Sequence, residues 1–179
     1  MKTENLEAKR ASEIMIPLDQ YPHVSQKATL RDVIGIMESS QLNVGGRKSL
    51  PRIVLVFDEG GRLAGQVRRR DIMRGLEPDF LSSKPMQYRK KLFDVKVDPN
   101  LTELSYDHLL DGILRRAKRP VIDVMLPVVQ MVDYNDHIVK VIYEMVDNNL
   151  SLLPVLKEDK VVGVVRSVDV LHEVAQLLL

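Results

Sequence analysis

The pattern Gly-x-Val-Arg-x-x-Asp is written twice in this chain, as GQVRRRD at residues 65–71 and as GVVRSVD at 163–169, 98 residues apart. The residue types suit a sugar phosphate. Asp71 and Asp169 each offer about four lone-pair sites, enough to serve as a helix N-cap and still accept from ribose hydroxyls. First-turn helix amides attract phosphate, and Arg68 and Arg166 can grip its oxygens through two parallel hydrogen bonds. The same guanidinium can instead fill a cleft or pair with the nearby carboxylate. Gly65 and Gly163 leave room for a second backbone or a ligand to approach closely, or mark a bulge or tight turn.

The elements that must position these groups are themselves repeated. SEIMIP (12–17) returns as IDVMLP (122–127), which sets Met15 and Met125 110 residues apart. Leu30, Val33, Ile34 and Met37 have the i, i+3, i+4, i+7 spacing of an amphipathic helix, and Ile138, Val141, Ile142 and Met145 repeat it. Thr29 and Asp32 form a capping arrangement ahead of the first stripe. A β-rich run follows in each copy (IVLVF from Ile53, LLPVL from Leu152), then a polar turn, a second strand ending in the Gly-to-Asp pattern, and helical sequence after each Asp. The fold class expected is α+β, with two β-α-β-β-α units over residues 11–76 and 121–179 and a partly helical connector at 77–120.

The copies differ in length. Pro17 to Gly65 spans 48 positions and Pro127 to Gly163 only 36, so the first copy carries 12 extra residues, several of them expected around NVGGRKSLPR (43–52), where paired Gly and basic residues suggest a loop. The connector holds Pro78, Pro85, Pro99, a basic YRKK and a helical ELSYDHLLDGILRRAKR.

Composition excludes several functions. With 26 basic and 25 acidic residues, no global charge draws the chain to nucleic acid or an anionic membrane. The Arg68-Arg69-Arg70 run, with Arg74, Arg89, Lys90 and Lys91, is a basic patch, but aromatics are only 4% and no stacking platform is visible. Arg69 is expected on a solvated surface. Absence of cysteine removes disulfides and thiolate chemistry. His23, His108, His137 and His172 lack metal-ligand spacing, so no metal is expected. No phosphate-binding loop, dinucleotide fingerprint or Ser-His-Asp pattern points to an enzyme. MKTENLEAKR has no apolar core of a signal peptide and no run is long enough to span a bilayer, so a soluble cytoplasmic protein is expected.

In its order of motifs, repeated twice, the chain resembles a tandem pair of cystathionine-β-synthase (CBS) domains, a Bateman module. The resemblance rests on the Met-x-Pro stretch, the ATLRDVIGIM helix, the hydrophobic-Pro-Val strand at Leu153 to Val155, and the Gly-to-Asp spacing in both copies. It implies two α+β units related by a pseudo-twofold and packed through their sheets, with clefts that bind AMP, ADP, ATP or S-adenosylmethionine. It also implies a non-catalytic sensor that dimerises and acts on a partner protein. Asp71 and Asp169, with Arg68 and Arg166, would face sugar and phosphate. Ile14, Ile16, Val124 and Leu126, with Leu50, Pro51, Leu152, Leu153 and Pro154, would wall the base. Arg68 and Arg166 depart from the family, which has Ser or Thr there. The competing reading is a ligand-independent dimerisation or interaction module, its clefts filled by its own side chains and VAQLLL forming a helical seam. Met15, Met37, Met125 and Met145 are expected in the core.

Overall fold

The computed structural model describes residues 9–77 and 106–179. In the first repeat, β2 (His23–Ser25) leads into α2 (Leu30–Ser39), β5 (Ile53–Phe57), β6 (Leu63–Arg68) and α3 (Arg69–Leu76). In the second, β7 (Val132–Asp133) leads into α5 (Ile138–Asp147), β8 (Leu152–Lys157), β9 (Lys160–Arg166) and α6 (Ser167–Leu178). Each unit is a parallel β-α-β crossover followed by an antiparallel hairpin, with a β-bulge at Val56/Phe57 in one and at Val155/Leu156 in the other. The α+β class and the doubled unit are as read from sequence. The strands that head each unit, β2 and β7, escaped that reading because two or three residues are too few to show an alternating pattern.

The amphipathic stripes fall where expected. Leu30, Val33 and Met37 of α2 and Ile138, Val141 and Met145 of α5 are buried. Asp32 Oδ2 accepts from the Thr29 backbone N–H at 2.8 Å, and the Asp32 N–H donates to Thr29 Oγ1 at 3.3 Å, which closes the capping box.

β5 is buried on both faces, and successive side chains leave in opposite directions. Val54 and Val56 join the core beneath α2 and α3, while Ile53 and Leu55 meet Leu152 and Val164 of the other unit. Leu153, Val155 and Val165 do the same inside the second unit. The result is helices, sheet, sheet, helices, with an apolar seam between the two sheets.

The opening segments of the repeats are exchanged. The helix α1 (Ala11–Ile14) and strand β1 (Ile16–Pro17) belong to the second unit, where β1 pairs with β9 in the order β1-β9-β8-β7. Reciprocally, Val121, Val124 and Met125 pack in the first unit, and Leu126 exchanges backbone hydrogen bonds of 2.9 Å with Gln66 of β6. The exchange also satisfies helix starts, whose first amides have no partner within the helix. The Leu30 N–H donates to the Arg119 carbonyl and the Ile138 N–H to the Lys9 carbonyl, both at 2.9 Å. Lys9 Nζ lies 2.6 Å from Glu173 on α6. Each repeat, as written in sequence, therefore contributes its opening segment, 11–17 or 121–126, to its sibling.

The 12 extra residues of the first copy are more ordered than a loop. Eight residues there, 42–49, form a hairpin of β3 (Leu42–Val44) and β4 (Arg47–Ser49), with Leu42 opposite Ser49. Its two-residue turn is Gly45-Gly46, with φ +56° and +77°, the left-handed conformation that a tight hairpin needs at both central positions. In the connector, α4 (Tyr106–Arg116) supplies the expected helix. Pro78, Pro85, Pro99 and the YRKK stretch with Arg89, Lys90 and Lys91 lie outside the described residues.

Candidate functional site

The repeated glycines answer a backbone, through the strand exchange. A Cβ on Gly163 would lie 2.5 Å from the Ile16 carbonyl oxygen and 2.9 Å from Met15 Sδ. One on Gly65 would lie 2.7 Å from the Leu126 carbonyl oxygen and 3.0 Å from Met125 Sδ. Two glycines written 98 residues apart thus accommodate the two exchanged Met-x-Pro segments. Met15 and Met125 pack partly buried against the cores, and Met37 and Met145 are buried within them.

Each exchanged edge ends at an Arg–Asp pair. Asp71 is not the N-cap expected from sequence: α3 begins at Arg69, so Arg68 holds the cap position and Asp71 the third helical position. Asp169 occupies the same place on α6. The shift by one helical turn changes the carboxylate's task. Asp71 Oδ2 accepts from the Arg68 backbone N–H at 3.0 Å and from Arg68 Nε at 2.8 Å, and Oδ1 accepts from Nη2 at 3.0 Å. Arg68 has no acceptor to return, so only the reciprocal half of a capping box forms. In the second unit Arg166 Nε and Nη2 donate to the two oxygens of Asp169 at 2.6 and 2.8 Å. Both arginines thus make bidentate pairs with the carboxylates three residues ahead.

The two pairs differ in surroundings. Asp71 and Asp169 are both buried, but the Arg68 side chain is 44% exposed and that of Arg166 only 12%. Arg166 Nη1 donates across the seam to Ser49 Oγ of the hairpin at 2.9 Å. Tyr21, buried in the seam, donates its hydroxyl to the Ile53 carbonyl at 2.8 Å. Burial pushes the Tyr21 hydroxyl pKa up, with the Arg166 charge opposing and the Asp169 charge adding. For Asp71, burial pushes upward, yet hydrogen bonds from the Arg68 side chain and backbone, with the charges of Arg68 and Arg74, hold the carboxyl below its ordinary value.

The residues expected to wall a base divide in two. Ile16 and Leu152 lie in the seam between the sheets, and Leu126 and Val124 on the exchanged segment are half-buried. Ile14 and Leu153 are interior to the second unit's core, and Pro154 is buried in β8 opposite Val164 of β9. Leu50 is exposed and Pro51 buried; the Pro51 carbonyl accepts from Arg69 Nη2 at 2.9 Å, which tethers the otherwise exposed Arg69. His23 Nδ1 lies 2.8 Å from the Tyr21 carbonyl. Tyr21 and Ser49 were missed. Tyr21 follows a strand too short to read, and Ser49 sits in the insertion, so neither carried a periodic signal.

Comparison with known proteins gives the pattern a context. A CBS domain family model matches residues 11–78 and 121–176. A CBS domain-containing protein from Kribbella flavida DSM 17836 superposes with a TM-score of 0.67 at 16% identity, over 93% of this chain and 98% of its own. The protein CBSX2, solved in complex with AMP, gives 0.61 at 15% identity, over 95% of this chain and 98% of its own. The cytosolic domain of the Mg2+ channel MgtE, solved in complex with ATP, gives 0.58 at 21% identity, over 94% of this chain and 50% of its own. No curated protein sequence matches this one. At such identities the structural likeness concerns the fold. Among the described residues, no helix is long and apolar enough to cross a membrane.

Proposed function

The chain belongs to the CBS-domain family, and from that membership we propose that it is a non-catalytic regulatory module of the cytoplasm. On this reading it binds an adenine nucleotide (AMP, ADP or ATP) or S-adenosylmethionine between its repeats, residues 11–76 and 121–179, and signals to a partner protein by a change of packing. The observation that carries the reading is the duplicated Arg–Asp pair beside the seam, at the start of the helix that follows each exchanged edge. Fold likeness alone would not suffice.

The chemistry is an exchange of partners. Three of the acceptor sites on Asp71 are taken by Arg68. A phosphate that draws the Arg68 guanidinium outward returns two of them, and ribose hydroxyls are donors of matching size and polarity. Only the arginine of this pair is exposed, 44% against 2% for Asp71, so the guanidinium can turn outward while the buried carboxylate needs replacement donors, the role the ribose hydroxyls fill. Nucleotides in the AMP and ATP complexes of CBSX2 and MgtE make this ligand class the first to test. Isothermal calorimetry with AMP, ADP, ATP and S-adenosylmethionine is expected to give saturable heat for at least one ligand, reduced in Asp71→Ala. No heat from any of the four defeats the proposal.

A second reading has its own support. Val139, Tyr143 and Val146 form an exposed apolar stripe on α5, and Val168, Leu171 and Leu178 are exposed on the adjoining α6. Such surface suits a homodimer. Self-association in sedimentation that ignores nucleotide, together with silent calorimetry, would make the chain a plain interaction module.

A further inference from the structure

We propose that the β3–β4 hairpin is a built-in plug: it closes the crevice at Arg166 and Asp169, so that the chain takes one adenine nucleotide, at Arg68 and Asp71. The site assignment rests on the nucleotide reading above; the closure does not. The hairpin lies in the 12-residue excess of the first copy over the second, so the pseudo-twofold gives it no counterpart. Its tight Gly45-Gly46 turn sets the register, and Leu42 anchors it in the seam among Ile16, Tyr21, Ile53 and Val164.

From that anchor Ser49 reaches Arg166. Three guanidinium N–H groups of Arg166 are then spent inside the protein, two on Asp169 and one on Ser49. Tyr21 closes the same end of the seam. The alignment that carries Ile16↔Val164 onto Leu126↔Gln66 carries Tyr21 onto Met131. Tyr21 is 3% exposed and Met131 37%, so the two ends of the seam are occupied differently. At the open end, among the described residues, the Arg68 guanidinium bonds to Asp71 and still shows nearly half its side chain to solvent.

A phosphate arriving at Arg68 meets a guanidinium already half in solvent, whereas one arriving at Arg166 must draw out a buried guanidinium and displace a packed hairpin. The difference amounts to tenfold or more in affinity, about 1.4 kcal/mol.

Two measurements on the full chain test the idea separately. Phenylglyoxal modification, followed by peptide mass spectrometry, reads closure without any ligand. Arg68 is expected to react roughly tenfold faster than Arg166, in line with side-chain exposures of 44% and 12%, and Ser49→Ala, which keeps the hairpin, to raise the Arg166 rate. Equal rates in wild type overturn the plug. Calorimetry with AMP and ATP reads stoichiometry: one equivalent per chain, lost in Asp71→Ala and kept in Asp169→Ala, each variant first shown to be folded by circular dichroism. Two equivalents, or binding that depends on Asp169, overturn the site assignment. Silence with both nucleotides overturns the single-nucleotide claim, while the arginine rates still decide whether the crevice is closed.

Discussion

Replacing Gly163 by Ala adds one methyl group at the place where the exchanged strand crosses. Gly163 does not have a positive φ, so its backbone conformation is open to alanine, and only space is at issue. The new Cβ would sit 2.5 Å from the Ile16 carbonyl oxygen, 2.9 Å from Met15 Sδ and 3.3 Å from the Ile16 carbonyl carbon. Met15 can swing its sulfur away. The Ile16 carbonyl belongs to β1, a two-residue strand paired to β9 through Ile16↔Val164 and Pro17↔Gly163, and it must withdraw by about half an ångström. Overpacking of this kind costs about 1–3 kcal/mol, against roughly 0.4–1 kcal/mol regained from the stiffer unfolded chain. The net loss of about 1–2 kcal/mol corresponds to a fall in Tm of roughly 2–8 °C for a chain of this size. Gly35→Ala is the internal control. Gly35 is exposed in α2 with nothing within 4 Å of its would-be Cβ, so alanine should stabilise by about 0.5–1 kcal/mol. Differential scanning calorimetry on both variants reads the two signs. The reasoning fails if Gly163→Ala melts at or above wild type, or if Met15→Ala restores its loss completely, because the obstacle would then be a side chain and not the crossing backbone.

Further expectations concern the seam and the open pair. Tyr21→Phe removes the hydroxyl that bonds to the Ile53 carbonyl and should cost about 1–2 kcal/mol in urea denaturation; a neutral result would mean that water replaces the phenol in the seam. The depressed pKa of Asp71 makes its contribution to stability complete above the ordinary carboxylate value, near pH 4, and lost as pH falls through the lower folded value. Urea midpoints between pH 6 and pH 2.5 should therefore decline less steeply below about pH 4 in Asp71→Asn than in wild type. Identical slopes would show that another carboxylate governs the acid limb.

The doubled unit, its helices and its long hairpins were legible because their signals are local. Apolar residues at helical spacing define a face within one segment, and Thr29 with Asp32 closes its cap within four residues. The strand IVLVF reads as buried on both faces because no polar residue interrupts it. Helix starts were less legible. Asp71 and Asp169 moved from the cap to the third helical position, since a strand that ends at Arg68 or Arg166 passes into helix without a sequence break.

By itself the amino-acid sequence settled that two sibling units exist, and that glycine, arginine and aspartate return at one strand-to-helix junction in each. It left open whether the glycines admit a ligand or a backbone, and whether the arginines face phosphate, a cleft or the neighbouring carboxylate. Tertiary structure decided these points: β1 crosses Gly163, the Leu126 segment crosses Gly65, both arginines fold onto their aspartates, and Ser49 reaches Arg166 from the other repeat. The physical reason is range. Periodicity and capping are interactions among neighbours in the chain, whereas the partner of a two-residue strand, and the burial of a charge, depend on what packs there from about a hundred residues away.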